Sequence, residues 1–310
     1  MKDWLVYCSV GDRSVIEQWA TADRTFDLFL TYYGAEPGRF EDLADRYEVA
    51  HGPKFPNLWA WFQRDPDVFR RYGAVLVLDD DLALSAAAID ELFRIREAHD
   101  LWIVQPSFSP RGKLSWDVTR HRPRTTLRFT NFVENGAPLF RADKLWPFLE
   151  EFDGSLSGWG IDFWYLHTMD ARANPGRFAV ADTVVTRNPT NREKGGRREI
   201  DAERSPEERI TGWEAIRDQR GIPEYPPETI GRIDKPWRHQ LVASVADLPD
   251  TGYWYGVRSF RRARRRAVRH QVYRSLRPAR DRVRHRWGPA RIGAPTDQSV
   301  ELDGAGTTTD

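Results

Sequence analysis

Three consecutive aspartates, Asp79, Asp80 and Asp81, come directly after the apolar run 74–78. Alternate residues of an extended chain share a face, so Asp79 and Asp81 are expected to reach one hard cation. Mg²⁺ and Mn²⁺ prefer oxygen ligands, and either ion would bridge such carboxylates to a diphosphate. Two alternatives stay open: Asp79 bonds a ribose while Asp81 holds the metal, or the cluster is a solvated acidic turn. Because three neighbouring acids repel one another, the pattern favours a site that receives a positive ion.

A second group of residues with chemical potential is Gly158-Trp159-Gly160, followed two residues later by Asp162. The glycines allow close approach of the backbone, and the indole can cover the face of a sugar ring. Asp162 lies at a predicted helix start, where its carboxylate can take a proton from a hydroxyl as general base. The alternative is that Asp162 only caps the helix.

The acidic cluster also suits a phosphatase of the haloacid dehalogenase type, in which a strand-end aspartate is the nucleophile. That chemistry favours Thr or Val two residues after the second aspartate, where this chain has Ala83. It also favours a motif near the start of the chain, whereas here two predicted strand-helix units come first. We therefore treat this function as the weaker hypothesis.

The elements that must position these residues follow from the apolar pattern. Strands alternate with helices, which predicts an α/β fold with a mixed, mainly parallel sheet flanked by helices. In such a fold, ligands bind beyond the carboxyl ends of the strands. Strands are predicted at 4–10, 26–33, 74–78, 101–105, 128–133, 138–141 and 178–185. Helices are predicted after the turn 11–14, at 40–47, through 59–69, and at 85–98, 143–152, 161–169 and 206–220. Pro106 is expected to stop its strand, 107–124 to form an active-site loop, and 223–236 to be irregular.

Composition narrows the class of protein. With 310 residues, of which 40% are hydrophobic, the chain can bury a core. Cys8 is the only cysteine, which excludes an intrachain disulfide. The start of the chain lacks a basic segment followed by a long apolar one, and we expect a soluble, cytoplasmic protein.

Charge is distributed unevenly along the chain. Fourteen arginines and one acid lie between Arg258 and Arg291, although the whole chain carries a net charge of only +1, so the preceding part is acidic. We predict a domain over 1–250, a basic amphipathic helical arm over 251–287 and a disordered tail over 288–310. The arm can lie on an anionic membrane surface, can bind nucleic acid, which is less favoured, or can be a solvated tail that contacts a partner.

Several short motifs together resemble a known family over roughly residues 3–190. In chain order they are Gly52-Pro53-Lys54-Phe55, Leu78-Asp79-Asp80-Asp81-Leu82, Gln105-Pro106, Phe132-Val133-Glu134, Ala137-Pro138 and Gly158-Trp159-Gly160-Ile161-Asp162-Phe163. This run resembles the plant and bacterial family known as domain of unknown function 707, which is grouped with GT-A glycosyltransferases. The stretch ending at Asp162 is similar to the Trp-Gly…Glu-Asp motif of inverting galactosyltransferases, where an acid is the catalytic base.

The resemblance implies a GT-A-like, metal-dependent hexosyltransferase that inverts the anomeric centre. The expected donor is a nucleotide sugar, preferably a UDP-sugar, and the expected acceptor is a hydroxyl of a glycan or of a lipid-linked molecule. The resemblance also implies Mn²⁺ or Mg²⁺ held by Asp79 and Asp81, and Asp162 as base. Many GT-A enzymes take a third metal ligand from a late histidine. This chain has Thr186-Arg187-Asn188-Pro189 at that place, with no histidine. The candidates for the third metal ligand are therefore Asn188, Asn191 or water.

Further candidate contacts follow from the same expectation. The loop Val10-Gly11-Asp12 is expected to lie beside the uracil and ribose of the donor. Contacts with the phosphate or ribose are expected from Lys54, Asn57, Asp79 and Asp80. Gln105 and Glu134 end apolar strands, so they contact the acceptor or the donor sugar, or they make structural hydrogen bonds.

Two functions from other classes remain as alternatives. One is a nucleotide-sugar or carbohydrate-binding module that keeps the fold without turnover. The other is a nucleic-acid-binding protein that uses the Arg-rich arm. Slow hydrolysis of a nucleotide sugar would favour the glycosyltransferase over the binding module. Retention on DNA that depends steeply on salt concentration would favour the nucleic-acid-binding protein.

Overall fold

The structure is a computed structural model that describes residues 2–193 and 204–236, all within one compact unit. The predicted arm (251–287) and tail (288–310) lie outside the described residues, as does most of the polar segment after residue 193. In the described ranges, no helix is both long enough and apolar enough to cross a bilayer.

Nine strands of the described chain form one sheet. They are β1 (Trp4–Val10), β2 (Asp27–Tyr32), β3 (Arg46–Val49), β4 (Ala74–Asp79), β5 (Ile103–Phe108), β6 (Thr125–Thr130), β7 (Leu139–Arg141), β8 (Phe178–Thr186) and β9 (Thr229–Asp234). Their order across the sheet is β3-β2-β1-β4-β7-β5-β8-β6-β9.

Most of these strands run in one direction. The pairs β2–β3, β1–β2, β1–β4 and β5–β8 are parallel, whereas β7 runs against β4 and β5, and β6 runs against β8 and β9. Only β6 and β7 are therefore reversed among the described strands. This confirms the predicted mixed, mainly parallel sheet, and the carboxyl ends of β1, β4, β5 and β8 meet at one edge.

Helices cover both faces of the sheet. They are α1 (Lys54–Arg64), α2 (Pro66–Arg70), α3 (Ala86–Ala98), α4 (Ala142–Glu151), α5 (Ile161–Thr168) and α6 (Pro206–Arg220). Alternate residues of β1 enter two different cores. Tyr7 belongs to the core that includes residues of α1, α2, α4, α5 and α6, whereas Val6 and Cys8 belong to the core that includes α3. Helix α3 starts where predicted, because the Ser85 hydroxyl accepts a hydrogen bond from the Ala88 N–H.

Two predicted helices near the start of the chain are wrong. The segment after the turn 11–14 forms only a short 3₁₀ turn at Ile16–Gln18. The segment 40–47 forms another 3₁₀ turn and then the edge strand β3. The apolar spacing there looked helical, but Tyr47 stacks on Tyr32 of the neighbouring strand, with ring centroids 6.1 Å apart. Cross-strand packing, which local periodicity does not show, decides this segment.

Two strand predictions and one predicted irregular stretch also need correction. Strand β5 runs through Pro106, because its register with β8 shifts between Pro106 and Ser107, and a proline is tolerated at such an irregularity. Strand β6 begins three residues earlier than predicted, at Thr125. The proline-rich stretch 223–236 contains the edge strand β9, whose residues are mostly exposed and therefore lack an apolar pattern.

A buried ion pair joins β6 to β8. The Arg128 Nε donates to Asp182 Oδ2 at 2.7 Å, and the two side chains are 3% and 0% exposed. Burial alone would raise the pKa of Asp182, but hydrogen bonds from His121 and Arg128, together with the Arg128 charge, hold that pKa below its ordinary value. This half of the sheet is thus fixed by paired charges as well as by apolar packing.

Candidate active site

The acidic cluster lies at the carboxyl end of β4, but not on an extended chain. Strand β4 ends at Asp79, and the chain then turns, with the Leu82 N–H donating to the Asp79 carbonyl at 3.4 Å. The expectation that 79–81 continue the extended strand is therefore wrong, while a cation shared by Asp79 and Asp81 stays a prediction. Burial raises the pKa of the Cys8 thiol well above its ordinary value, and the charges of Asp80, Asp79 and Asp81 raise it further. All three carboxylates accordingly lie near one point of β1.

Lys54 is paired with the first of these aspartates. Its side chain is 10% exposed, and its ammonium donates to Asp79 Oδ1 at 2.7 Å. It also donates to the backbone carbonyls of Asn135 at 2.7 Å, Gly136 at 3.1 Å and Val77 at 3.3 Å. Lys54 thus neutralises Asp79 and ties β4 to the segment before β7, and its predicted contact with phosphate stays a prediction.

Asp80 fixes the loop that follows β1. Its Oδ2 accepts from the Gly11 N–H at 3.0 Å and the Tyr33 hydroxyl at 3.2 Å, and its carbonyl accepts from the Val15 N–H at 2.9 Å. In the same loop, Asp12 accepts from the Tyr32 hydroxyl and the Ala35 N–H. The loop predicted to contact a nucleoside is thereby anchored to the acidic turn.

Three of the predicted contact residues are buried within the protein. The Val10 side chain is fully buried, and its carbonyl accepts from the Tyr33 N–H at 3.0 Å. Asn57 is 6% exposed, and its amide donates to Ser9 Oγ at 3.3 Å and to the Gly52 carbonyl at 2.9 Å. Gln105 is fully buried, which assigns it to the structural alternative. The side chains of Val10 and Gln105 are thus inaccessible to a ligand, whereas the predicted ligand contact of Asn57 stays a prediction.

Glu134 and Asp79 face one small space beside Gly136. A methyl group added at Gly136 would lie 3.5 Å from Asp79 Oδ2 and 3.5 Å from Glu134 Oε1. Glu134 is 7% exposed, its N–H donates to Gln105 Oε1 at 2.6 Å, and Thr119 donates to its Oε2 at 3.4 Å. Gln105 therefore positions Glu134, and the glycine keeps the space between the two carboxyls open.

The pKa of Glu134 connects the acidic turn to Asp162. Burial, followed by the charges of Asp162 and Asp79, raises this pKa to about 8, although the hydrogen bond from Thr119 and the charge of Lys113 act to lower it. Both aspartates thus act on one carboxyl group from nearby. Because the Glu134 pKa lies above neutrality, Glu134 is mainly a neutral acid at pH 7, beside two residues predicted to work as carboxylates.

Asp162 is the second residue of α5 and is 7% exposed. Its Oδ1 accepts from the Phe163 N–H at 3.0 Å. Burial, followed by the Asp162 charge, raises the pKa of Tyr225 to about 12 and also raises that of Tyr165. A carboxylate held at a helix start between two phenols fits the predicted base.

The residues before Asp162 have different tasks. Gly160 has a φ of 86°, and a Cβ there would lie 2.1 Å from the Trp213 ring, so its close backbone approach is to α6. The Gly158 carbonyl accepts from the Asn135 amide. Trp159 is 37% exposed, which leaves part of its indole at the surface near Asp162. The predicted sugar contact of Trp159 is compatible with this position, while Gly160 has a packing role.

The residues present fit a divalent ion in their donor chemistry. Within 2–193 and 204–236, no group of three His, Cys, Asp or Glu side chains is placed to hold a metal. A magnesium site, however, commonly uses one or two carboxylates and completes its shell with substrate phosphates and water. Asn188 adds a candidate, because its Oδ1 is buried without a hydrogen-bond partner. The bridge between Ala83 and Arg187 brings Asn188 beside the chain that follows Asp81, whereas Asn191 is exposed.

The sequence did not indicate Lys113 as a residue of the site, and His121 lies in a separate cluster. The Lys113 charge acts on Glu134, and its N–H donates to the Asn188 carbonyl at 2.8 Å, so part of the predicted active-site loop does reach the site. The Nδ1 atom of His121 lies 3.1 Å from the Ser107 hydroxyl and 3.7 Å from Asp182 Oδ1. A nucleophilic triad needs both ring nitrogens, so this cluster is structural.

The raised pKa of Glu134 predicts a specific dependence of stability on pH. Between 4.5, its ordinary pKa, and about 8, the native state holds a proton that the unfolded state has released. The Glu134 contribution to stability is therefore full below pH 4.5 and is lost as the pH rises towards 8. Relative to Glu134→Gln, the wild type should lose up to about 1.4 kcal/mol of unfolding free energy per pH unit in that window.

Urea unfolding of both proteins at pH 5, 6 and 7 measures this difference. Glu91→Gln, on the exposed face of α3, is the control and should follow the wild type. Parallel curves for the wild type and Glu134→Gln would show that Glu134 is ionised in the native protein.

Comparison with known proteins gives no family by sequence, since no family model and no curated protein matches the chain. Among solved structures, TarS residues 1–349 from S. aureus in complex with UDP is 13% identical, with a TM-score of 0.40, and the match covers 61% of this chain and 60% of that one. The chain thus spans less than two thirds of that TarS structure.

A second similar structure is glucosyl-3-phosphoglycerate synthase from Mycobacterium tuberculosis in complex with phosphoglyceric acid, at 14% identity and a TM-score of 0.46, covering 78% of this chain and 91% of that one. The same synthase in complex with Mn²⁺, UDP-glucose and phosphoglyceric acid is 13% identical, with a TM-score of 0.43. At these identities and scores the likenesses carry no argument about donor, metal or acceptor.

Proposed function

We propose that this chain is a metal-dependent glycosyltransferase of the GT-A type that moves a sugar from a nucleotide-sugar donor, preferably a UDP-sugar, to a hydroxyl of a glycan or lipid-linked acceptor. The observation that supports this most is the convergence of Asp79 and Asp162 on the Glu134 carboxyl. A site for a leaving diphosphate and a site for a base are thereby brought into one neighbourhood. The resemblance to the family of domain of unknown function 707 belongs to the same proposal.

The metal side of the site is formed by Asp79 Oδ2, Asp81 and the buried Asn188 Oδ1. These are hard oxygen donors of the kind that Mg²⁺ and Mn²⁺ take. When bound, the ion would neutralise charge on the diphosphate leaving group. Lys54 keeps Asp79 in place by its 2.7 Å contact with Oδ1, so only the other oxygen of Asp79 remains for the ion.

The base side of the site is formed by Asp162. As the acceptor oxygen bonds to the anomeric carbon, the bond from that carbon to the phosphate oxygen breaks and the hydroxyl proton moves to the Asp162 carboxylate. Attack from the face opposite the leaving group inverts the anomeric centre. Glu134, as a neutral acid, can donate a hydrogen bond without competing for that proton, and Trp159 offers part of its indole face to a sugar ring.

An enzyme accounts for these residues better than a binding module does. Burying Asp162 and Glu134 close together costs free energy through desolvation and mutual repulsion. A neutral Glu134 carboxyl beside a proposed base is useful for proton transfer, whereas a module that only binds has no use for it. The catalytically inactive module therefore stays the alternative.

Location and partners are proposed from sequence alone. The arginines between Arg258 and Arg291 support peripheral contact with an anionic membrane surface on the cytoplasmic side. Such contact would bring the site close to a lipid-linked acceptor. Nucleic acid is a less favoured partner for the same segment.

A thermal-shift screen of nucleotide sugars with and without Mn²⁺ tests the proposed function. A ligand that binds only the native state stabilises it by about 2.7 kcal/mol at one hundred times its dissociation constant, so a UDP-sugar should raise the melting temperature only with the metal. Slow metal-dependent release of UDP from the same donor would support an enzyme. Binding without turnover of any donor would support the module, and no binding of any nucleotide sugar would contradict both.

A further inference from the structure

A groove lined with arginines lies along the β6–β9 pair, away from the acidic site. Its volume is about 710 Å³, and its charged lining consists of Arg122, Arg124, Arg128, Arg232 and one acid, Asp234. The described part of the chain is acidic in net composition, whereas four of the five charged residues that line this groove are basic.

The sheet places one end of this groove at the edge where Asp79 lies. Strand β6 is reversed, so its start is at the carboxyl ends of the parallel strands, and Thr125 pairs there with Asp234 at the end of β9. Strand β6 is four positions from β4 in the sheet. At about 4.8 Å per strand, the groove begins roughly 20 Å from the acidic turn along the same edge.

Three of the four arginines form ion pairs with acids of the protein. Arg128 pairs with the buried Asp182, Arg122 with Asp117 at 2.9 Å and Arg232 with Asp234 at 3.1 Å. Each guanidinium has five N–H donors, and the Arg122 and Arg232 side chains remain 46% and 64% exposed. Donors on two of the four arginines are therefore accessible to an anion from solution.

The pairing of β6 with β9 adds a cost that an anion would remove. Arg128 and Arg232 are direct cross-strand partners, which places two guanidiniums on one face of the sheet. Like charges directly opposite each other destabilise an antiparallel pair. Asp182 offsets the charge of Arg128, and Asp234 offsets that of Arg232 only from the exposed end of the strand.

We propose that this groove binds a phosphate group of the acceptor, an inference that rests on the proposed function. Arginine forks bind phosphate oxygens in a bidentate manner, which suits several guanidiniums around one groove. The hydroxyl that receives the sugar would lie at Asp162 while the phosphate lies in the groove, at the same edge of the sheet. The acceptor class is thus an extended, phosphate-bearing molecule.

Titration calorimetry of the full chain with inorganic phosphate, in EDTA, tests the groove directly. Arg232→Glu and Arg124→Glu should each weaken phosphate binding about tenfold, because each variant reverses one charge at the groove. Arg94→Glu on α3 is the matched control, since Arg94 is 59% exposed and pairs with Glu91 as Arg232 pairs with Asp234. The control should bind phosphate as the wild type does, and residues 237–310 contribute equally in every protein.

Equal phosphate affinity in Arg232→Glu, Arg124→Glu and Arg94→Glu, or no phosphate binding by the wild type, would overturn the inference. Binding of UDP with Mn²⁺, measured separately on the same variants in buffer without EDTA, should be unchanged in all three variants. If the wild type does not bind UDP with Mn²⁺, the proposed function is contradicted. The phosphate titration would then still show whether the groove binds an anion.

Discussion

Asp162→Asn is expected to lower the rate of sugar transfer about a thousandfold while leaving Mn²⁺-dependent binding of the donor intact. General base catalysis by a positioned side chain contributes about 10² to 10⁴ in rate, and asparagine cannot accept the proton. Asparagine has nearly the same shape as aspartate, and its Oδ1 can still accept from the Phe163 N–H. The start of α5 should therefore fold as before.

The same substitution should also change the titration of Glu134. The Asp162 charge is one cause of the raised pKa of Glu134, so its removal should lower that pKa. NMR titration of the Glu134 side chain measures this shift without any substrate. An unchanged Glu134 pKa in Asp162→Asn would show that the Asp162 carboxylate does not act on Glu134.

Asp143→Asn is the matched control. Asp143 is also the second residue of its helix, α4, but its side chain is 57% exposed and pairs with Arg141 at the surface. Its removal takes away a helix-start charge outside the site, and the transfer rate should change less than twofold, or about 0.4 kcal/mol. Transfer at the wild-type rate by Asp162→Asn would eliminate it as the base.

Those parts of the fold with a clear local apolar pattern could be predicted from sequence. Strand β1 and helix α6 have the predicted bounds, because a buried strand reads as an apolar run and α6 starts with a capping box at Ser205 and Glu208. Strands β3 and β9 lie at the two edges of the sheet and expose much of their surface. Their existence depends on hydrogen bonding to a neighbour, which no local pattern reports.

The candidate site was predictable in its residue types but not in its contacts. The position of Asp79 after an apolar strand indicated an edge of the sheet, as observed. Its pairing with Lys54, its neighbour Glu134 and the space kept open by Gly136 join segments far apart in sequence. Such contacts follow from the crossing of β7 between β4 and β5, and the predicted elements did not contain that topology.

Asp81→Ala is expected to abolish measurable transfer and to weaken Mn²⁺-dependent binding of UDP about a hundredfold, equivalent to about 2.7 kcal/mol. A carboxylate that shares an ion with the diphosphate contributes to binding and to departure of the leaving group together. Asp81 is the better position to change, because Asp79 is bonded to the mostly buried Lys54. Removing Asp79 would leave the Lys54 ammonium without its counter charge and would destabilise the fold. A loss of UDP binding could then come from unfolding and not from loss of the ion.

The measurement is calorimetry of UDP with and without Mn²⁺. Asp67→Ala is the control, since Asp67 is 88% exposed on α2 and its removal takes away one surface carboxylate. It should bind UDP as the wild type does. If Mn²⁺ changes the UDP affinity of neither the wild type nor Asp81→Ala, the ion plays no part at this turn. If only the wild type responds to Mn²⁺, Asp81 holds the ion, because the Lys54–Asp79 pair is the same in both proteins.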